Sequence, residues 1–115
     1  MGLFALTKAD RLLKRSEFIE LSKIGKKISN KEFIVIYSPG RHQRTRLGLT
    51  VSRKVGKASE RNRIKRQVRE FFRFYKSDIS GYWDMNIIAG KGAAGLSTQQ
   101  AFLSLKDLFE KLSRQ

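Results

Sequence analysis

Hydrophobic residues recur every three or four positions in three stretches of this chain, and this spacing predicts three helices. The longest stretch covers residues 60–76. Its apolar positions form one stripe that must face a core, and they are Ile64, Val68, Phe71, Phe72 and Tyr75. The opposite side of the same helix is polar and cationic. Its residues recur at the same spacing and are Asn62, Arg66, Arg69 and Arg73, with Arg61 and Lys65 on one flank.

The basic helix is expected to begin at a Ser59 cap, and the two other helices lie near the ends of the chain. The first begins at a Ser16 cap and ends at Gly25, a residue suited to a left-handed helix terminus. Its apolar residues are Phe18, Leu21 and Ile24. In the last helix, Ser97 and Gln100 have the spacing of a capping box. The apolar face of that helix consists of Phe102, Leu105, Leu108, Phe109 and Leu112.

Strands are predicted at residues 32–38, 47–52 and 83–89, with a short additional strand near residues 27–29. The first carries apolar side chains on both faces, so alternation does not choose its core face. In the second, alternation sends the apolar residues one way and small or polar residues the other way, namely Gly48, Thr50 and Ser52. The predicted order is α-β-β-β-α-β-α, an α+β protein with helices packed on a small sheet.

The length of 115 residues predicts a single domain with its own core, residues 1–115, preceded by a loose arm over residues 1–10. Lysine and arginine number 25 against 10 acidic residues, which gives a net charge of +15. Such a chain should bind a polyanion, with nucleic acid the first candidate and an anionic membrane the second. A membrane-surface helix would leave its apolar stripe free for lipid, whereas the neighbouring elements need that stripe for a core.

Several classes of function are excluded by what the sequence lacks. The absence of cysteine excludes disulfides and thiolate metal sites. No secretory signal or membrane-spanning stretch is present, which predicts a cytoplasmic protein without membrane contact. His42 is the only histidine and has no carboxylate nearby in sequence, and the ten acids are scattered. We therefore predict that the chain binds its target without a catalytic residue or a bound metal of its own.

Each candidate binding residue also has an ordinary structural interpretation. The arginine row can be a solvated face in which Arg66 and Glu70 pair four residues apart. The Asn62 side chain can bond to nearby backbone groups. Phe18 is either a core residue or an aromatic platform on which an unpaired base stacks. The same alternative applies to three further aromatics, for which a core or rim position is favoured: Tyr37, Tyr82 and Trp83.

Residues 61–69, RNRIKRQVR, closely resemble the arginine-rich signature of the protein subunit of bacterial ribonuclease P. The preceding segment agrees, since residues 46–52, RLGLTVS, followed by RKVG resemble the strand and basic turn before that signature. The resemblance extends over about residues 8–112. It implies a two-layer α/β sandwich with a mixed sheet of about four strands and three helices. The implied fold is ribosomal protein S5 domain 2-like. Its β-α-β crossover is left-handed, although most such connections are right-handed.

The resemblance also implies a division of labour. A large RNA would perform the chemistry with Mg²⁺ and remove the 5′ leader from precursor tRNA, while the protein binds that RNA and the single-stranded leader. Neither a protein-bound cofactor nor a small-molecule substrate is implied. The implied RNA-binding residues are Arg61, Asn62, Arg63, Lys65, Arg66 and Arg69, and the helical spacing of the cationic row adds Arg73. The implied leader cleft consists of Phe18, Ile34, Ile36, Thr50 and Ser52, with Arg53 and Lys54 at its mouth.

One position departs from the family pattern. The first helix of the family often carries a second aromatic one turn after the first, and here that position is Ser22. Phe18 would then be the single stacking platform. Two other functions remain open from sequence: a basic structural ribosomal protein, which has similar charge and size, and a self-sufficient metal-dependent nuclease, which the scattered acids disfavour.

Overall fold

The computed structural model describes residues 10–12, 14–40, 43–79 and 81–114. Its helices are α1 (Arg15–Ile24), α2 (Ala58–Tyr75) and α3 (Thr98–Ser113). Its strands are β1 (Lys26–Ser29), β2 (Phe33–Pro39), β3 (Arg46–Thr50) and β4 (Trp83–Ala89). This confirms the predicted order, including the short extra strand before residue 30. Residues 1–9 of the predicted arm over residues 1–10 lie outside the described residues, as does His42, which was predicted to be non-catalytic.

The four strands form one mixed sheet in the order β1-β2-β4-β3. β2 pairs antiparallel with both β1 and β4, whereas β3 and β4 run parallel. Because α2 lies between β3 and β4 along the chain, these elements form the expected β-α-β unit. The left hand of that unit stays a prediction from the resemblance. The placement of β3 at the sheet edge brings it beside α2 and the first described residues.

The core lies between one face of the sheet and helices α2 and α3. The apolar stripe of α2 is buried as predicted, with Tyr75 only partly covered; its fully buried members are Ile64, Val68, Phe71 and Phe72. The Phe71 ring stacks on Tyr75 at 4.4 Å and meets Phe109 of α3 edge-on at 5.1 Å. Each fully buried side chain of this kind contributes about 1.5–3 kcal/mol. The cationic side of α2 is thereby held away from the core.

The predicted caps of α1 and α2 are wrong, and an acidic residue in the first turn explains both shifts. The Lys57 N–H donates to Glu60 Oε1 at 3.2 Å, so α2 begins before Ser59. The Lys14 N–H donates to Glu17 Oε1 at 3.3 Å, so α1 begins before Ser16. A glutamate at the third helical position accepts a hydrogen bond from a backbone N–H that has no partner within the helix. Its negative charge also interacts favourably with the positive end of the helix dipole.

The predicted capping box of α3 is confirmed. The Gln100 N–H donates to Ser97 Oγ at 3.1 Å, and the Ser97 N–H donates to Gln100 Oε1 at 2.9 Å. The helix that follows buries four of its five predicted apolar residues completely, and Phe102 packs partly buried against the same core. Sequence therefore located this helix correctly at both its start and its buried face.

Gly25 ends α1 for a different reason from the one predicted. Its φ is −74°, so it is extended rather than left-handed. A Cβ at this position would lie 2.6 Å from the Leu21 carbonyl oxygen and 2.7 Å from Ile36 Cγ2. Glycine is needed because α1 approaches β2 closely here. Ile24, expected on the buried face, is 57% exposed, and Leu21 is the buried residue of this helix.

Candidate nucleic-acid interface

The outward side of α2 carries the predicted cationic row. Asn62, Arg66 and Arg69 are exposed, and Arg73 is half-buried. Glu70 accepts a bond from Arg73 Nη2 at 3.3 Å, so its partner is not Arg66 as the solvated-face interpretation expected. In the described part of the chain, Asn62 forms no side-chain hydrogen bond, which argues against a capping role. We call the surface formed by Asn62, Arg66, Arg69 and Arg73 the cationic surface.

The flanks of α2 separate the remaining predicted residues. Lys65 lies on the flank that faces β3, where it lines a groove with Arg69. Arg61 is half-buried, and its Nε atom is buried without a bonding partner among the described residues. Arg63 lies on the other flank, where its Nη1 donates to the Leu96 carbonyl oxygen at 3.0 Å. Arg63 therefore ties α2 to the segment before α3, apart from the cationic surface.

Residues 10–12 are held against the edge of the sheet. The Leu12 N–H donates to the Leu47 carbonyl oxygen at 2.9 Å, and Arg11 forms a parallel bridge with Leu47. Asp10 is 5% exposed and pairs with Lys76 at 3.3 Å and Arg44 at 3.4 Å. Asp10 thus does not belong to a loose arm, because burial and two ion pairs fix it. Sequence reasoning also missed that Arg11 lines the same groove as the cationic surface.

The sheet face opposite the core borders α1, which contacts β2 and β4. Ile34 and Ile36 are half-buried on this face, because the alternate residues of β2 fill the core. Thr50 is exposed on β3, as alternation predicted. The chain then continues through three exposed residues at the end of β3: Ser52, Arg53 and Lys54. The structure therefore places Ile34, Ile36 and Thr50 on one face of the sheet, and we call this face, with the exposed residues that follow β3, the cleft.

Phe18 is half-buried at the border between α1 and the cleft. It lines a groove with Arg11, Leu49, Lys65 and Arg69. The groove joins the cleft to the cationic flank of α2. Ser22 is exposed and its hydroxyl donates to the Ile19 carbonyl oxygen at 2.7 Å, so α1 presents a single aromatic here.

The other candidate aromatics lie in the core or at its rim, or outside the cleft. Tyr37 is buried, and its ring meets the half-buried Trp83 edge-on at 5.4 Å. These two residues therefore hold β2 and β4 together on the core side. Tyr82 is 57% exposed and lies in the connection before β4.

Arg46 fixes α1 to the sheet, a role that the sequence did not reveal. Its Nη1 donates to Glu17 Oε2 at 2.8 Å, and its Nε and Nη2 donate to the two carboxylate oxygens of Asp84 at 3.0 Å each. The hydrogen bond with Asp84 raises the pKa of Arg46 despite burial, and Glu17 adds to the effect. Because Glu17 precedes Phe18 on α1, this cluster also fixes the position of the aromatic beside the cleft.

The described residues contain no group of three or more acidic or histidine side chains placed to hold a metal ion. Within the same residues, every helix is too short or too polar to cross a membrane.

Comparison with known proteins shows which family this chain resembles in sequence and fold. The ribonuclease P family model matches residues 6–113. The ribonuclease P protein component of Desulfosudis oleivorans is 50% identical over 115 residues, which cover 100% of this chain and 95% of that protein. The solved ribonuclease P protein of Staphylococcus aureus is 35% identical and superposes with a TM-score of 0.85, covering 90% of this chain and 95% of that one.

A solved ribonuclease P protein from Thermotoga maritima is 33% identical, with a TM-score of 0.81 and coverage of 88% of this chain and 96% of that one. These likenesses extend over nearly the whole chain, and they favour the interpretation from residues 61–69 over that of a structural ribosomal protein. This chain belongs to the ribonuclease P protein component family, whose members act in tRNA processing with an RNase P RNA.

Proposed function

We propose that this chain is the non-catalytic protein subunit of ribonuclease P. Its cationic surface binds the RNase P RNA, and its cleft binds the single-stranded 5′ leader of precursor tRNA. The observation that carries this proposal is the groove in which Phe18 lies with Lys65 and Arg69. An RNA held along α2 would lie beside a strand held in the cleft, so one protein contacts both.

The cleft has the chemistry that a single strand of RNA requires. Phe18 offers a ring face on which a base stacks, a contact worth about 1–3 kcal/mol. The half-buried Ile34 and Ile36 provide an apolar floor. Arg53 and Lys54 are exposed at the end of β3, where they can neutralise backbone phosphates. This combination binds a strand without requiring a particular leader sequence throughout.

Hydrolysis is assigned to the partner RNA and its Mg²⁺, as the family resemblance implies. The protein contributes differential binding: precursor tRNA carries the leader and gains the cleft contacts, whereas mature tRNA has lost them. The chain should therefore favour the precursor and assist release of the product. Its net charge of +15 also reduces the repulsion between two RNA molecules brought together.

The test replaces Phe18 with alanine in the holoenzyme assembled with an RNase P RNA. We expect the Kd for precursor tRNA to rise about 5- to 150-fold, the range of one lost stacking contact, with the Kd for mature tRNA unchanged. Tyr82→Ala removes an exposed aromatic outside the cleft and is the matched control. Equal losses for both tRNAs would make Phe18 a structural residue and remove leader binding from the cleft.

A further inference from the structure

Asn86 is a polar residue buried in the centre of the sheet. It is 8% exposed, and its neighbours on β4, Met85 and Ile87, point into the core. Asn86 therefore lies on the cleft face, where it is level with Ile36 of β2 and Gly48 of β3. A buried amide at the middle of a sheet costs free energy unless its polar atoms are bonded.

Only the oxygen of the Asn86 side-chain amide has a hydrogen-bond partner in the protein. Thr50 Oγ1 donates to Asn86 Oδ1 at 3.1 Å. Among the described residues Asn86 makes no other side-chain hydrogen bond, and its Nδ2 atom is not one of the fully buried unpaired polar atoms, so its two N–H donors retain contact with solvent. The bond to Thr50 also holds the amide in one orientation. The free donors are therefore preorganised for a ligand.

The surroundings of Asn86 indicate what that ligand is. Gly48, directly across on β3, has no side chain, and the Phe18 ring occupies the space that a Cβ would fill. The amide consequently lies next to the aromatic platform and next to the Thr50 hydroxyl. A base stacked on Phe18 would present its polar edge toward this part of the sheet. Base edges are the part of a nucleotide that an amide side chain can distinguish.

We propose that Asn86, oriented by Thr50, selects one base of the bound leader and favours guanine or uracil. This inference rests on the proposed function of the cleft. A base that turns its C6 edge (purines) or C4 edge (pyrimidines) toward Nδ2 presents a carbonyl oxygen in guanine and uracil, which accepts from the amide. At the same atom adenine and cytosine carry an amino group, which would oppose one donor with another. Asn86 is thus a specificity-determining residue, and Thr50 is the positioning residue that sets which amide atom faces the base.

The experiment measures the Kd of the holoenzyme for precursor tRNAs in which each leader position carries each of the four bases in turn. We expect one position at which guanine and uracil bind about three- to tenfold more tightly than adenine and cytosine, the range of one net hydrogen bond. Asn86→Val should abolish that difference at that position alone. A preference for adenine and cytosine, or a preference that Asn86→Val leaves intact, would overturn the assignment.

Thr50 supplies a second, independent pair of variants. Thr50→Val keeps the shape of the side chain but removes the hydroxyl, so the base preference should weaken; Thr50→Ser keeps the hydroxyl and should retain it. A purely structural role for the pair would instead lower thermal stability without changing the ratio between bases. If the leader does not occupy the cleft at all, Phe18→Ala will leave the precursor Kd unchanged. That result would refute the proposed function, whereas an intact Phe18 effect without base preference would refute only this inference.

Discussion

Gly48 lies directly beneath the ring of Phe18. An ideal Cβ on Gly48 would stand 2.5 Å from Phe18 Cε1 and 2.8 Å from Cζ, closer than side chains approach one another. The missing side chain on β3 is therefore what allows the aromatic of α1 to rest on the sheet at the border of the cleft. The position of Phe18 depends on a residue 30 positions away in sequence.

Gly48→Ala should consequently mimic the loss of Phe18. The atoms in the way are at the end of a side chain that can rotate, so the ring should move while the sheet stays in place, at a cost of about 1 kcal/mol in folding stability. We expect a higher Kd for precursor tRNA and an unchanged Kd for mature tRNA. Gly90→Ala is the control, because its Cβ would have its nearest contact at an ordinary 3.4 Å. An unaltered precursor Kd in Gly48→Ala would show that the Phe18 ring position is unimportant.

The cationic surface predicts a measurable electrostatic signature. Replacing the exposed Arg66 or Arg69 with alanine should weaken binding to the RNase P RNA and reduce the slope of log K against log salt by roughly 0.7–0.9 for each lost phosphate contact. Lys106→Ala removes an exposed cation from α3 and controls for net charge. Binding curves at several salt concentrations provide the measurement. Equal slopes for wild type and both arginine variants would exclude the row from the RNA contact.

Most of the fold was predictable from sequence because its signals are local and periodic. The apolar stripe of α2 and the capping box of α3 each lie within a few turns of one helix, and both predictions hold. The first residue of a helix was harder to predict where both a serine and a nearby glutamate could cap it. At Ser59 the serine was predicted as the cap, but Glu60 accepts the bond from the Lys57 N–H and the helix begins earlier. The close approach of Gly25 to Ile36 depends on packing between α1 and β2, which no local pattern encodes.

The candidate site was predictable only in part, for the same physical reason. Helical spacing placed Asn62, Arg66 and Arg69 on one exposed side, and strand alternation placed Thr50 on the cleft face. Alternation did not identify Asn86, because β4 has buried residues on both faces and its partner Thr50 is 36 positions away. Contacts of this kind arise from strand pairing, so they are visible only after the sheet order is known.

Arg46 should contribute mainly to stability. Arg46→Met leaves the buried Asp84 carboxylate and the partly buried Glu17 without their cation, so we expect a loss of about 3 kcal/mol in unfolding free energy, measured by urea denaturation. Arg73→Met breaks a partly exposed pair with Glu70, 42% and 43% accessible, and should cost about 0.5 kcal/mol or less. A loss at Arg46 no larger than that at Arg73 would contradict the anchoring role.

The contribution of Arg46 should not change with pH in the neutral and moderately alkaline range. Its pKa is raised in the folded state, chiefly by the hydrogen bond with Asp84, so its stabilisation is complete below the unfolded pKa and is lost as the pH rises through the folded pKa. Both values lie far above neutral. The difference in unfolding free energy between wild type and Arg46→Met should therefore be equal at about pH 7 and about pH 10. A difference that shrinks at the higher pH would contradict a raised pKa.

Arg11 should couple the two RNA-binding surfaces, because it lines the groove of the cationic surface and also the groove that contains Phe18. Its backbone is fixed by the bridge to Leu47, so its side chain is positioned at the border between them. We expect Arg11→Ala to reduce the slope of log K against log salt for RNase P RNA by roughly 0.7–0.9. The same change should raise the Kd for precursor tRNA. Arg11→Lys keeps the charge and should retain the slope. If Arg11→Ala altered only one of the two affinities, Arg11 would serve a single surface, and the two RNAs would be bound independently.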